Sequence, residues 1–381
     1  MRFSRSLYIF VILLFLLLMA QTGPCEEYRA PIPAGLPESL YGILIPPDNP
    51  MTTEKVDLGK KLYFDKRLSV DDTVSCATCH DPALGFADGK PVGEGIQGKK
   101  GARNSPTVLN SMFNVDQFWD GRAKSLEEQA RGPLINPVEM AMPSHDAVAE
   151  KVRGISEYGP AFEKAFGPNS INIDNIAKAI ASFERTQLSG NSAFDRFVAG
   201  QQDAISESAR RGFELFKGKA RCITCHEFNP TNAFFTDYKF HNIGVGMKAS
   251  ANFEPLARQV LNLAQEGKLT EQELDKLSLT EGFSELGRFM VSRQPKDVGA
   301  FKTSTLRDIE LTAPYMHDGS QKTLKEVIEF YNKGGEPNPN LDGGIRKLDL
   351  TETEIDDLVE YMKTLTGDRA MRLARGEEKL F

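Results

Sequence analysis

Two Cys-x-x-Cys-His units, Cys76-Ala-Thr-Cys79-His80 and Cys222-Ile-Thr-Cys225-His226, constrain this chain more than any other feature. Four of its five cysteines fall in them, so a disulfide framework is a poor reading even for an exported protein. A zinc site built from the two Cys-x-x-Cys pairs is the better rival, but zinc does not require a histidine directly after each second cysteine. Covalent haem attachment does: two thiols add to the vinyl groups, and the adjacent imidazole reaches the iron from the same side. The spacing therefore predicts two covalently bound haem c groups, held by Cys76, Cys79 and His80 and by Cys222, Cys225 and His226.

Arg2 and Arg5 precede an apolar run from Leu7 to Ala20, which has signal-peptide polarity and is short for a membrane span. Residues 1–25 read as a signal peptide or an N-terminal anchor, and export to the periplasm follows; Cys25 belongs to neither motif. The formal net charge of −7 disfavours nucleic acid as a partner and suits either a solvated surface or a basic protein partner. Residues 26–50 are proline-rich and read as an extended lead-in. Two haem-bearing halves follow, 51–195 and 196–381, each with a similar phrase before its motif: Gly59-Lys-Lys-Leu62-Tyr63 and Gly212-Phe-Glu-Leu215-Phe216. Helical periodicity dominates, for example Ile355, Leu358, Val359, Met362 and Leu365 behind a Thr351/Glu354 capping box. Residues 254–279 read as two further helices inserted after the second motif. The expected fold is mostly α, with two c-type cytochrome domains in tandem.

Three phrases carry a resemblance: Gln117-Phe-Trp119-Asp-Gly121-Arg122, Asn136-Pro-Val-Glu139-Met140 and Ala313-Pro314-Tyr-Met-His317-Asp-Gly319. In this order around two haem motifs, they are similar to the bacterial di-haem cytochrome c peroxidase and MauG family, over about residues 50–370. The resemblance implies that the His80 haem meets hydrogen peroxide and the His226 haem handles electrons. It makes Glu139 the distal acid/base group, with Gln129 and Pro133 beside it over the open iron face. On its residues alone, Glu139 could equally be a helix-start carboxylate stabilised by the dipole. Trp119, the only tryptophan, is implied to lie between the haems; by itself it could be a core aromatic. Asn104, Thr312 and Pro314 match positions that hold a calcium ion in the family, the last two through backbone oxygens.

Two departures separate this chain from conventional members. The loop Gly93-Glu-Gly-Ile96-Gln97-Gly98 lacks the histidine that blocks the peroxide iron at rest, so that iron is expected to be open. At the sixth-ligand position of the second haem, fourteen residues after His317, stands Tyr331 rather than methionine, as in MauG-type members. Tyr331 also completes an apolar stripe with Leu324, Val327 and Ile328 on a helix capped by Thr323 and Glu326, so packing alone could account for it. His317 is expected to be a structural or haem-proximal residue rather than a ligand, and His145 and His241 to be satisfied in place. MauG itself has a tryptophan two residues before the second motif, on the route to its protein substrate, where this chain has Ala220.

The leading expectation is a di-haem peroxidase that takes electrons from a small donor such as cytochrome c or a cupredoxin. The alternatives are MauG-like oxidation of a partner protein through a bis-ferryl state, and a non-catalytic electron carrier. A homodimer is compatible with the sequence.

Overall fold

The computed structural model describes residues 28–229, 233–247 and 253–380; the leader and Cys25 lie outside them. The chain is mostly helical. In the first half run α1 (Glu38–Ile43), α2 (Thr53–Phe64), α3 (Cys76–Cys79), α4 (Leu126–Ile135), α5 (His145–Arg153), α6 (Tyr158–Phe166) and α7 (Ile173–Glu184). They continue with α8 (Ala193–Val198), α9 (Glu207–Lys217), α10 (Phe253–Gln265), α11 (Glu271–Ser278), α12 (Phe289–Ser292), α13 (Leu324–Asn332), α14 (Glu352–Lys363) and α15 (Asp368–Ala374). One two-stranded ribbon pairs Phe240 with Lys302 and His241 with Phe301, antiparallel.

The repeated phrase before each haem motif has a physical basis. In the first half α2 crosses α7, and a Cβ on Gly59 would overlap the carbonyl oxygen of Ala179. In the second half α9 crosses α14, and a Cβ on Gly212 would overlap the carbonyl oxygen of Asp357. Each glycine lets two helix backbones touch, and the hydrophobic residues that follow it, Leu62 and Tyr63 or Phe216, are fully buried. Tyr63 then donates its hydroxyl to the backbone oxygen of His80 at 2.9 Å, tying the crossing to the motif it precedes. Thr351 accepts from the amide of Glu354 and so opens α14 with the capping box read in the sequence.

The proline-rich lead-in is not extended throughout, because α1 interrupts it. It also packs between the halves: Leu36 and Tyr41 share a core with Met112, Phe113 and Leu188 and with Phe234 of the second half. Its backbone is held as well. Ala34 accepts from the Asn191 amide at 2.7 Å. Gly35, at φ +86°, leaves no room for a side chain against Asp195 and accepts from Arg307 at 3.1 Å. Arg307 is buried and grips the Asp195 carboxylate with two nitrogens, at 2.8 and 3.0 Å. Helices α10 and α11 form the inserted pair expected over 254–279 and bury a small core of their own around Val260, Leu277, Phe283 and Leu286. Among the described residues no helix is long and apolar enough to cross a membrane.

Alanine in place of glycine inside a helix ordinarily stabilises by about 0.5–1 kcal/mol. At Gly59 and Gly212 the sign reverses, and we expect each Gly→Ala substitution to cost about 1–3 kcal/mol through overpacking at the crossing. Denaturant unfolding of the haem-loaded protein measures this; a stabilised variant would refute the close-crossing account.

Candidate functional site

Each motif opens into its own cavity. Cys76, Cys79 and His80 line one of about 1320 Å³, measured with its open mouth. Cys222, Cys225 and His226 line another of about 1970 Å³. None of the four motif cysteines pairs with another, and the two pairs face different cavities, which argues against a disulfide framework and a shared zinc site. The histidines are set as iron ligands would be. His80 Nδ1 lies 3.2 Å from the Phe86 oxygen and His226 Nδ1 2.9 Å from the Phe235 oxygen, so each ring turns its Nε2 away from that bond. Burial lowers the pKa of both, favouring the neutral imidazole that can donate a lone pair. Neighbouring thiols, a neutral oriented imidazole and a large apolar-walled cavity fit a haem in each half.

The cavities differ in the groups that line them besides the motif. In the first, α4 presents Gln129 and Pro133, and the turn after it presents Glu139. Asn136 organises that turn: its side-chain nitrogen donates to Glu139 Oε1 at 2.9 Å, while its side-chain oxygen accepts from the Val138 amide at 2.9 Å. Burial pushes the Glu139 carboxyl up to about 7, with the Arg122 cation pulling it down and Asp275 pushing it up. A carboxyl poised near neutrality can both take and return a proton. The glycine-rich loop lies directly against this turn. Ile96 donates to the Glu139 oxygen at 3.0 Å, and a Cβ on Gly95 would overlap the Val138 oxygen. Among the described residues His80 is the only histidine lining this cavity.

The second cavity is walled by Leu324, Val327, Ile328 and Tyr331 of α13, a helix whose N-cap Thr323 accepts from Glu326 at 3.1 Å. Burial and the nearby Cys222 and Cys225 hold the Tyr331 hydroxyl above its ordinary pKa. Among the described residues that hydroxyl has no hydrogen-bond partner, and it is free for another group. Met316 and Met362 line the same cavity.

Trp119 lines both cavities, and its Nε1 donates to the Asn104 oxygen at 2.8 Å. Asn104, Thr312 and Pro314 all line the second cavity. The Asn104 Oδ1 and the carbonyl oxygens of Thr312 and Pro314 accept no hydrogen bond among the described residues, so this oxygen set is available to a hard cation. His317 is buried with Nε2 2.9 Å from Glu285 Oε2, a contact that fixes the ring in place. His145 is satisfied by the Arg131 oxygen at 3.2 Å. His241 is more than satisfied. It lies between Asp342 at 2.7 Å and Asp237 at 2.9 Å, lines the second cavity, and is pushed up to about 10 by Cys225 first and then by the two carboxylates.

Sequence reasoning missed two groups at the first cavity. Glu184, the last residue of α7, faces it with Oε2 buried and unpartnered, and burial pushes the carboxyl up to about 8. Asp275 of α11 pairs with Arg122 at 2.7 Å, while Ser278 and Leu279 form part of the cavity wall. A helix-end Glu-Arg and an inserted surface-type helix carry no local signal for either.

The sequence pattern of the di-haem cytochrome c peroxidase family matches residues 53–203. The chain is 39% identical over 326 residues to the methylamine utilization protein MauG of Methylorubrum extorquens, covering 85% of this chain and 82% of that one. It is 35% identical over 321 residues to the cytochrome c551 peroxidase of Nitrosomonas europaea, covering 84% and 82%. Among solved structures, a MauG-like protein associated with microbial copper homeostasis superposes with a TM-score of 0.70 at 30% identity, covering 92% of this chain and 96% of that one.

Glu139 and Glu184 are protonated below, and ionised above, their raised pKa values. Infrared titration of the full-length protein should therefore show protonated-carboxyl bands that disappear as pH rises through about 7 and about 8. Glu139→Gln should remove the lower step alone.

Proposed function

The chain belongs to the di-haem cytochrome c peroxidase family, and on that premise we propose that it reduces hydrogen peroxide in the first cavity with electrons delivered through the second. The observation that supports this reading is the unlike lining of the two cavities: Glu139 and Gln129 share one with the first motif, and Tyr331, on an apolar helix, shares the other with the second. Haem held at His80 would supply the iron that meets peroxide, and haem held at His226 would pass electrons one at a time. Glu139 takes a proton from the nearer peroxide oxygen and returns it to the departing one, held in place by Asn136. Gln129, whose amide has no protein partner among the described residues, orients the peroxide. Peroxide leaves as two waters after gaining two electrons and two protons, and Trp119 is the crossing point between the halves.

Covalent attachment through the four cysteines and a calcium ion at Asn104, Thr312 and Pro314 belong to the same proposal. So does export to the periplasm, on the strength of Arg2, Arg5 and the apolar run after them. A small cytochrome c or cupredoxin is the proposed donor. Tyr331 favours a second reading, MauG-like oxidation of residues in a partner protein, because a phenolate oxygen supports a more oxidised iron than a thioether does.

Peroxide added to the fully oxidised protein as isolated should react without prior reduction and drive donor oxidation. Glu139→Gln should slow that reaction by about 10²–10⁴-fold. An obligatory reductive step would overturn the open-cavity reading. Tyr331→Met should change the absorption and magnetic signature of the second haem; an unchanged spectrum would transfer the ligand role to another residue such as Met316 or Met362.

A further inference from the structure

The segment inserted after the second motif returns to the centre of the molecule at three points. Asp275 accepts from Arg122 at 2.7 Å, the Ser284 backbone oxygen accepts from Arg103 at 2.7 Å, and Glu285 bonds His317 at 2.9 Å. The third contact reaches a ring that packs against Trp119, which lines both cavities. The His317 ring stacks on Phe301, with centroids 3.6 Å apart and planes at 14°. It meets Trp119 edge-on at 6.4 Å and 66°. His317 also holds Trp119 through the backbone, since its oxygen accepts from the Asn104 amide at 2.7 Å and the Asn104 oxygen accepts from the indole.

Glu285 is fixed at the outer end of this stack. Its Oε1 accepts from Ser284 at 3.2 Å, and Gly246 approaches its Oε2 so closely that a Cβ there would overlap it. Burial alone would raise the carboxyl, but the hydrogen bond and charge of His317 and the Arg103 cation outweigh it, and the group is held below its ordinary range. A carboxylate is thus locked behind a stacked histidine ring whose far side meets the only tryptophan in the chain edge-on.

We propose that Glu285 is a positioning residue for electron transfer between the halves, its negative charge acting through His317 to stabilise the positive charge that develops on the Trp119 indole. This rests on the reading of Trp119 as the crossing point. The indole gives one electron towards the His80 side and regains one from the His226 side, while its Nε1 proton stays in the bond to Asn104. Two such passages per peroxide, with the external donor as reductant, complete the reduction to water. A carboxylate whose sole role was to hold His317 in place would be replaceable by an amide of the same shape; a charge would not.

The test uses full-length, haem-loaded protein with only the second haem reduced, mixed rapidly with hydrogen peroxide while that haem's oxidation is followed. Glu285→Gln keeps the size and hydrogen-bonding capacity and removes the charge, and should slow the transfer by about tenfold. Ultraviolet resonance Raman of Trp119 should show the indole hydrogen bond unchanged in Glu285→Gln. Glu285→Ala should alter both that band and the rate; if it fails to fold, Glu285→Gln alone decides. Trp119→Phe separates the two layers of the argument. If it slows transfer while Glu285→Gln runs at the parent rate, the role of Glu285 is refuted and Trp119 stands. If Trp119→Phe also runs at the parent rate, the crossing-point reading falls and this inference with it.

Discussion

Two helix crossings at backbone contact distance set the frame on which everything else depends. Gly59 against Ala179 and Gly212 against Asp357 bring a helix leading into each haem motif against the helix that closes that half. Because the backbones touch, Tyr63 can sit fully buried and reach the His80 oxygen, and Phe216 fills the corresponding space in the second half. The motif cysteines then follow on a short helical turn with little freedom, and their cavity forms on the remaining side.

On that common frame the halves diverge where no attachment chemistry constrains them. Beside His80, a proline inside α4 and an asparagine-organised turn deliver polar groups, and a chain of ion pairs stiffens the wall behind them: Arg103 to Asp120 at 2.6 Å, Asp120 to Arg122 at 3.0 Å, Arg122 to Asp275 at 2.7 Å. Beside His226, a regular amphipathic helix delivers an apolar stripe ending in a phenol that lines the cavity. A buried carboxyl near neutrality suits proton traffic, whereas an apolar wall suits an iron shielded from small molecules. The chemical asymmetry thus comes from how two helices end, not from the motifs.

What could be read in advance was local. The Cys-x-x-Cys-His units, the Thr323 and Thr351 caps, the stripe containing Tyr331 and the inserted helical pair all lie within a turn or two of chain, where periodicity and capping chemistry act. Glu139, Gln129 and Pro133 came from phrases rather than from physics, since a glutamate after a helix has many ordinary uses. The rest depended on partners far apart in sequence. Nothing near Asp275 points to Arg122, nothing near Glu285 points to His317, and the exposure of Glu184 to a cavity follows only once α4 and α7 have packed. The lead-in was the plainest case: its prolines signalled an absence of regular structure and concealed Leu36 and Tyr41, which bury against residues of both halves.

That lead-in alters how the whole should behave as a thermodynamic object. Its backbone is bonded to Asn191 at the junction and to Arg307 of the second half, and Arg307 in turn holds Asp195 of the first. A strap threaded through both halves couples their melting: loosening either one strips partners from the strap, and a loosened strap strips partners from the other. Tandem domains joined only by a linker would show two transitions, whereas this arrangement makes the pair a single cooperative unit.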